Sequence, residues 1–206
     1  ADVCYFIGED APIMTGWRIP EIPKGYSYDY INVEVILNRL SVKDGRFVLP
    51  DGMSYKVMVL PPFKTMRPEL LQKIEELVQQ GGIILGQKPE KSPSLENYPE
   101  SDNIVKNIAN KMWNGNYEEG KMKKIYGQGK LFDGYELSEV FADLNLTKDV
   151  AVPNDAPVLW THRNTLEMDT YFITNQSNKE IEIAPVFRVN KRLKPQLWNA
   201  VNGEIR

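Results

Sequence analysis

Apolar residues in this chain follow two patterns, and each predicts a different element. Val3-Cys4-Tyr5-Phe6-Ile7, residues 55–60 and Ile83-Ile84-Leu85 are almost continuously apolar, and are closed or entered by Gly8-Glu9-Asp10, Pro61-Pro62 and Gly81-Gly82. Successive side chains of a strand point to opposite faces, so such runs predict strands buried on both faces, as in parallel sheets covered by helices. Elsewhere the spacing is helical. Ile31, Val35, Ile36 and Leu40 predict a helix over 30–40 with Asp29 as its cap, and Leu70, Leu71, Ile74, Leu77 and Val78 predict another from Pro68 to Gln80. Short amphipathic helices are expected over 104–113 and 137–144, and strands at 123–126 and 129–132 around Gly127. Prolines and glycines make 8–28 and 87–102 loops, while Asp44-Gly45 within 41–49 predicts a hairpin, followed by a second turn at Pro50-Asp51-Gly52.

Strands and helices that alternate with short joints predict an α/β fold, with a mostly parallel sheet and helices on both faces. After Pro153 the texture changes. Residues 157–161, 168–175, 179–189 and 195–200 read as consecutive strands, with turns at Asn175-Gln176-Ser177-Asn178 and Lys191-Arg192. The expected organisation is an α/β domain over 1–150 and an antiparallel β portion over 151–206, the beginning of a β-sandwich.

Composition narrows the function classes. With 206 residues, 42% hydrophobic and 26% charged, the chain can bury a core. A net charge of −3 provides no basic field for a phosphate backbone, so nucleic acid is not an expected partner. No apolar run approaches the roughly 20 residues that span a bilayer, so no membrane partner is expected either. The single Cys4 excludes an internal disulfide. The chain starts at Ala1 almost inside a strand and stops at Arg206 after another strand-like stretch, so it reads as a piece of something longer.

Candidate chemistry is sparse. Cys4 lies inside an apolar strand rather than on an exposed turn, and the strand-to-turn position of an elbow nucleophile is Gly86-Gln87, where Gln87 cannot attack a carbonyl. Gly127-Gln128-Gly129-Lys130 lacks the spacing of a phosphate loop, and Thr15-Gly16 is only a fragment of a flavin-phosphate loop, so no cofactor is expected. Glycoside hydrolysis needs two carboxylates across a cleft. Glu9, Asp10 and Asp29 fall where strands of an open α/β sheet end, the side on which such sheets bind ligands, although Asp29 could serve only as a cap and Glu9 and Asp10 only as solvated charges; Glu9, Asp29 and Asn32 are expected to line that end of the sheet. Trp160, His162 and Arg163 combine an apolar plate, a titratable hydrogen-bonder and a forked donor in one strand, and are expected to meet a sugar or another domain unless they simply pack. Glu167 and Asp169 beside them do not converge as metal ligands.

Several runs resemble a known family. Asp29-Tyr30-Ile31-Asn32, Leu40-Ser41-Val42-Lys43-Asp44-Gly45-Arg46-Phe47-Val48-Leu49-Pro50-Asp51-Gly52, and Ser54-Tyr55-Lys56-Val57-Met58-Val59-Leu60-Pro61 resemble the region after the catalytic barrel in bacterial α-L-rhamnosidases of glycoside hydrolase family 106. Gly81-Gly82, His162-Arg163, Tyr171-Phe172 with Asn175, Pro195 to Trp198 and Gly203 extend the likeness. The resemblance implies a flavodoxin-like domain, similar to class I glutamine amidotransferases and to the trimerisation domain of some β-galactosidases, followed by β-structure. It also implies that the catalytic carboxylates lie in a barrel outside this sequence, leaving a non-catalytic accessory region whose partners are that barrel and a carbohydrate. The parent's setting would be periplasmic or extracellular. A free-standing flavodoxin-like small-molecule-binding domain and an oligomerisation module are the alternatives.

Overall fold

The computed structural model describes residues 1–9, 18–165, 167–189 and 193–206. The chain divides into two compact units, Ala1–Leu146 and Thr147–Arg206. The first comprises β1 (Val3–Phe6), β2 (Tyr28–Ile31), α1 (Val33–Asn38), β3 (Ser41–Lys43), β4 (Arg46–Val48), β5 (Ser54–Tyr55), β6 (Val57–Val59), α2 (Pro68–Gln79), β7 (Ile83–Leu85), α3 (Glu100–Met112), β8 (Met122–Tyr126), β9 (Gly129–Asp133) and α4 (Leu137–Asp143). Its central sheet has the order β2-β1-β6-β7-β9-β8, with only β8 antiparallel to its neighbour.

The uninterrupted apolar runs are explained by alternation. Cys4, Phe6, Met58, Ile84 and Leu131 pack with Ile36 of α1, with α2 and with α3 on one face. Val3, Tyr5, Val57, Val59, Ile83, Leu85 and Phe132 meet Leu137, Val140 and Phe141 of α4 on the other. Each strand therefore needs hydrocarbon on both sides. The predicted hairpin forms as β3-β4, with Asp44 and Gly45 at φ 52° and 67°, the pair of left-handed residues that a two-residue turn of this twist demands. Gly129 has a different constraint: a Cβ there would sit 2.2 Å from the Gly82 carbonyl oxygen and 2.3 Å from that of Val78. The Gly127-Gln128-Gly129 stretch is thus a tight packing turn between β8 and β9.

Two expectations are corrected in this unit. Residues 28–31 form the edge strand of the sheet, paired parallel with β1, and the helix starts only at Val33. Asn32 caps it, its Oδ1 accepting the Val35 amide at 3.0 Å, so the cap is not Asp29. The overlooked signal is Tyr26-Ser27-Tyr28-Asp29-Tyr30, an alternation of period two that outweighs the helical spacing of Ile31 and Val35. Residues 55–60 also do not form one strand. Tyr55 pairs with Phe47 in a small antiparallel sheet, and Val57 pairs with Val3 in the main one.

The second unit contains β10 (Val150–Ala151), β11 (Val158–Asn164), β12 (Asp169–Asn175) and β13 (Val186–Phe187), arranged as two antiparallel pairs, β10-β13 and β11-β12. The expected strand over 179–189 shrinks to β13, in a stretch that carries Pro185, which has no amide to donate. In 195–200 only Trp198 bridges, to Ile205. At the predicted turn after β12, Asn175 Oδ1 accepts the Ser177 amide at 2.9 Å. The Lys191-Arg192 turn, the Thr15-Gly16 stretch and Asp10 lie outside the described residues. Among the described residues, no helix is long and apolar enough to cross a membrane.

Candidate functional site

In the first unit the chain leaves β1 toward β2 on one side, then returns to build β6, β7 and β9 on the other, so the order reverses between β1 and β6. The crevice beyond the strand ends at such a reversal is where open α/β sheets bind ligands. Glu9 follows β1 and lies there, but its carboxylate is committed. Its Oε2 accepts the Arg67 amide at 2.8 Å at the start of α2, and its Oε1 pairs with the Arg67 guanidinium, which raises the Arg67 pKa. The Glu9 side chain is 8% exposed. An anion at a helix N-terminus is electrostatically favoured, and here the protein supplies it from its own chain.

Asp29 sits in β2 opposite Cys4 and close to Tyr55, and burial together with this carboxylate pushes the Cys4 thiol and the Tyr55 hydroxyl well above their ordinary values. Cys4 is fully buried and is a structural residue. Asn32 caps α1 as described. Glu9 and Asp29 therefore each have an interaction within the fold, and the structure does not set them face to face across a cleft: Glu9 bonds Arg67 at α2, and Asp29 neighbours Tyr55.

The second unit holds a connected polar cluster. His162 Nδ1 lies 2.9 Å from Asp149 Oδ2, and its Nε2 lies 2.9 Å from Asp169 Oδ1. The Tyr171 ring stacks on the imidazole, 4.0 Å between centroids with planes 15° apart, because the two residues are direct cross-strand partners. The Tyr171 hydroxyl shares its proton between the Arg188 carbonyl at 2.7 Å and Asp149 Oδ1 at 3.0 Å, and burial with the adjacent Asp149 charge raises its pKa. Arg188 adds its guanidinium, 3.7 Å from Asp149 and donating to the Thr147 carbonyl at 2.6 Å. Asn164 donates to Asp169 at 2.6 Å.

Strand alternation separates the predicted trio. Trp160 and His162 lie on one face of β11, while Arg163 lies on the other, where Nη1 donates to Thr161 Oγ1 at 3.1 Å and to the His162 carbonyl at 3.0 Å. Both imidazole nitrogens face carboxylates of the protein itself, so neither is directed at an external group. Asp149 and Arg188 were not singled out from sequence. They lie 13 and 26 residues from His162 with no motif to mark them. Among the described residues there is no group of three or more His, Cys, Asp or Glu that could hold a metal, and no buried side-chain nitrogen or oxygen lacks a partner.

Comparison with known proteins gives a consistent result. A protein of Formosa agariphila named "Putative beta-glucuronidase" is 37% identical over 207 residues, covering 100% of this chain and 16% of that protein. The structure of a rhamnosidase from Novosphingobium sp. PP1Y superposes with a TM-score of 0.83 at 25% identity, covering 100% of this chain and 20% of the rhamnosidase. The chain thus spans about a fifth or less of the length of these relatives. The sequence pattern of the alpha-L-rhamnosidase family, glycoside hydrolase family 106, matches residues 1–206, and the chain belongs to that family.

Proposed function

We propose that this chain acts as an accessory, non-catalytic part of a glycoside hydrolase that works on rhamnose-containing polysaccharides. The observation that carries the reading is a family match over the whole chain that accounts for only 16% of one relative and 20% of another. The committed state of Glu9 and of His162 supports it, since a general acid or base must be free to meet substrate. The partner in this reading is the catalytic barrel of a longer polypeptide, outside the cytoplasm. Counting only the parallel strands, the order 2-1-3-4-5 supports a flavodoxin-like, amidotransferase-like ancestry for the first unit. The inert Gln87 at the elbow position argues against carrying over amidotransferase chemistry.

The test is release of nitrophenol from an aryl α-L-rhamnoside by the 206-residue chain. No turnover above the uncatalysed rate is expected, and specific turnover would overturn the accessory reading. The oligomerisation alternative draws on Leu159 and Phe172, which share one face of the β11-β12 pair and are 62% and 50% exposed. Sedimentation separates the two: a monomer fits the accessory role, and a stable trimer favours the oligomerisation module.

A further inference from the structure

The α4 face of the central sheet is covered unevenly. Over the β7 and β9 side it carries α4, whose Leu137, Val140 and Phe141 are buried against Phe132 and its neighbours. At the β1-β2 edge the segment 18–27 passes nearby. It is held there by the Tyr5 hydroxyl, which donates to the Pro20 carbonyl at 2.7 Å, and by the Tyr26 ring, 4.3 Å from that of Phe141. Parallel register places Tyr28 beside Val3 and Tyr30 beside Tyr5, so Tyr5, Tyr28 and Tyr30 share this face. Their rings pack edge to face or tilted, with centroids 5.6 Å (Tyr5 to Tyr28), 5.6 Å (Tyr28 to Tyr30) and 6.3 Å (Tyr5 to Tyr30) apart.

What distinguishes this cluster from a plain core edge is the polar equipment around it. Tyr28 is half-buried and Tyr30 is 38% exposed, and neither hydroxyl has a hydrogen-bond partner among the described residues. The Arg18 guanidinium lies 5.3 Å from the Tyr28 ring centroid, stacked over it, and makes no ion pair or hydrogen bond among the described residues. Glu21 is exposed, has no ion pair or hydrogen bond among the described residues, and lies with Arg18 within electrostatic reach of the Tyr5 hydroxyl. An aromatic surface flanked by a cation, a carboxylate and phenol hydroxyls matches the two chemistries of a sugar ring: C–H faces that stack on aromatics, and vicinal hydroxyls that need both donors and acceptors.

We propose that Tyr28, Tyr30, Arg18 and Glu21 form a carbohydrate-binding surface at the edge of the first unit's sheet. Its ligand is a neutral sugar unit of a polysaccharide, with Tyr30 stacking on a C–H face and Arg18 and Glu21 bonding a pair of hydroxyls. The choice of carbohydrate rests on the accessory reading above, while the site itself rests on the geometry. None of these four residues takes part in the Glu9-Arg67 pair or in the His162 cluster.

The experiment is a titration of the 206-residue chain, labelled with ¹³C at its tyrosine rings, with methyl α-L-rhamnopyranoside and with a neutral rhamnose-containing oligosaccharide. Saturable shifts are expected at Tyr28 and Tyr30, and not at Tyr98 or Tyr117, which are 63% and 49% exposed and serve as internal controls. Arg18→Gln and Tyr30→Ala should each weaken binding roughly tenfold. Absence of saturable shifts with both sugars, equal shifts at the control tyrosines, or unchanged affinity in both variants would overturn the site. Should Tyr30→Ala unfold, the exposed Arg18→Gln variant and the wild-type shift map still decide. A failure here without rhamnoside hydrolysis leaves the accessory reading standing, whereas hydrolysis overturns that reading whatever the sugar titration shows.

Discussion

In the first unit every parallel strand between the sheet edges buries apolar side chains on both faces, whereas in the second the fully buried described residues are Val150, 1% exposed, and Asp149, 2% exposed. One interior is hydrocarbon, contributing roughly 1.5–3 kcal/mol for each large side chain removed from water. The other is organised by a carboxylate whose hydrogen bonds to His162 and Tyr171 are worth about 1 kcal/mol each in net terms, but are costly to leave half-made, with the Arg188 guanidinium 3.7 Å away. Apolar packing is non-directional and degrades gradually as atoms are removed. A hydrogen-bonded cluster specifies a single arrangement of two small strand pairs, and it fails as a unit. This is how a portion with two two-stranded sheets, an architecture that is marginal by itself, can hold a defined geometry.

The comparison is most directly challenged in the first unit. Phe132 is fully buried between β7 and α4, and Phe132→Ala is expected to cost roughly 3–5 kcal/mol, read as a drop in the denaturant midpoint of that unit. A loss below about 1 kcal/mol would show that the apolar layer under α4 does not carry the stability assigned to it.

A smaller but more selective effect is expected from Asp149→Ala, roughly 2–4 kcal/mol, confined to the second unit. Hydrogen-exchange mass spectrometry should show faster exchange in peptides covering 158–175 while β1, β6 and β7 keep their protection. Asp149→Asn preserves an acceptor and the volume, and should lose less. If both variants exchange like the wild type, the cluster is a consequence of the strand pairing rather than its cause.

The smallest predicted effect concerns surface charge on the first unit. Asp143 pairs with Lys123 and with Lys130, the latter at 2.9 Å, and these hydrogen bonds hold its pKa below the ordinary carboxylate value. A carboxylate whose folded pKa is depressed contributes stability above its unfolded pKa of about 3.9, and loses that contribution as pH falls through the folded value. Because solvent screens the pair, the amount is about 0.5 kcal/mol. Thermal midpoints at pH 7 and pH 3 should therefore differ slightly less in Asp143→Asn than in the wild type. An unchanged difference would assign the acid sensitivity to other groups.

Legibility followed burial. Residues 3–7 and 83–85 announce strands because both of their faces are apolar, and Leu70 to Val78 announces α2 because one face of it is. The edge strand was harder, since Tyr28 and Tyr30 are half-buried or exposed, and the apolar residues after them keep helical spacing until Asn32 ends the ambiguity by capping α1. Arg163 was grouped with His162 by adjacency in the chain, although neighbours in a strand face opposite ways. The alternation of Tyr28 and Tyr30 sets both on one face of this edge strand, a placement that only its parallel pairing with β1 reveals.

The sequence alone determined the α/β character of the first unit and the hairpin at Asp44-Gly45, because periodicity and turn chemistry are local properties, and its runs resembled the rhamnosidase family to which the chain belongs. The tertiary structure decided which charged groups are free. Glu9 meets Arg67 across 58 residues of chain, and Asp149 meets His162 across 13. Whether a carboxylate is available for chemistry depends on what the fold brings within about 3 Å of it, and that distance is set by packing between segments remote in sequence.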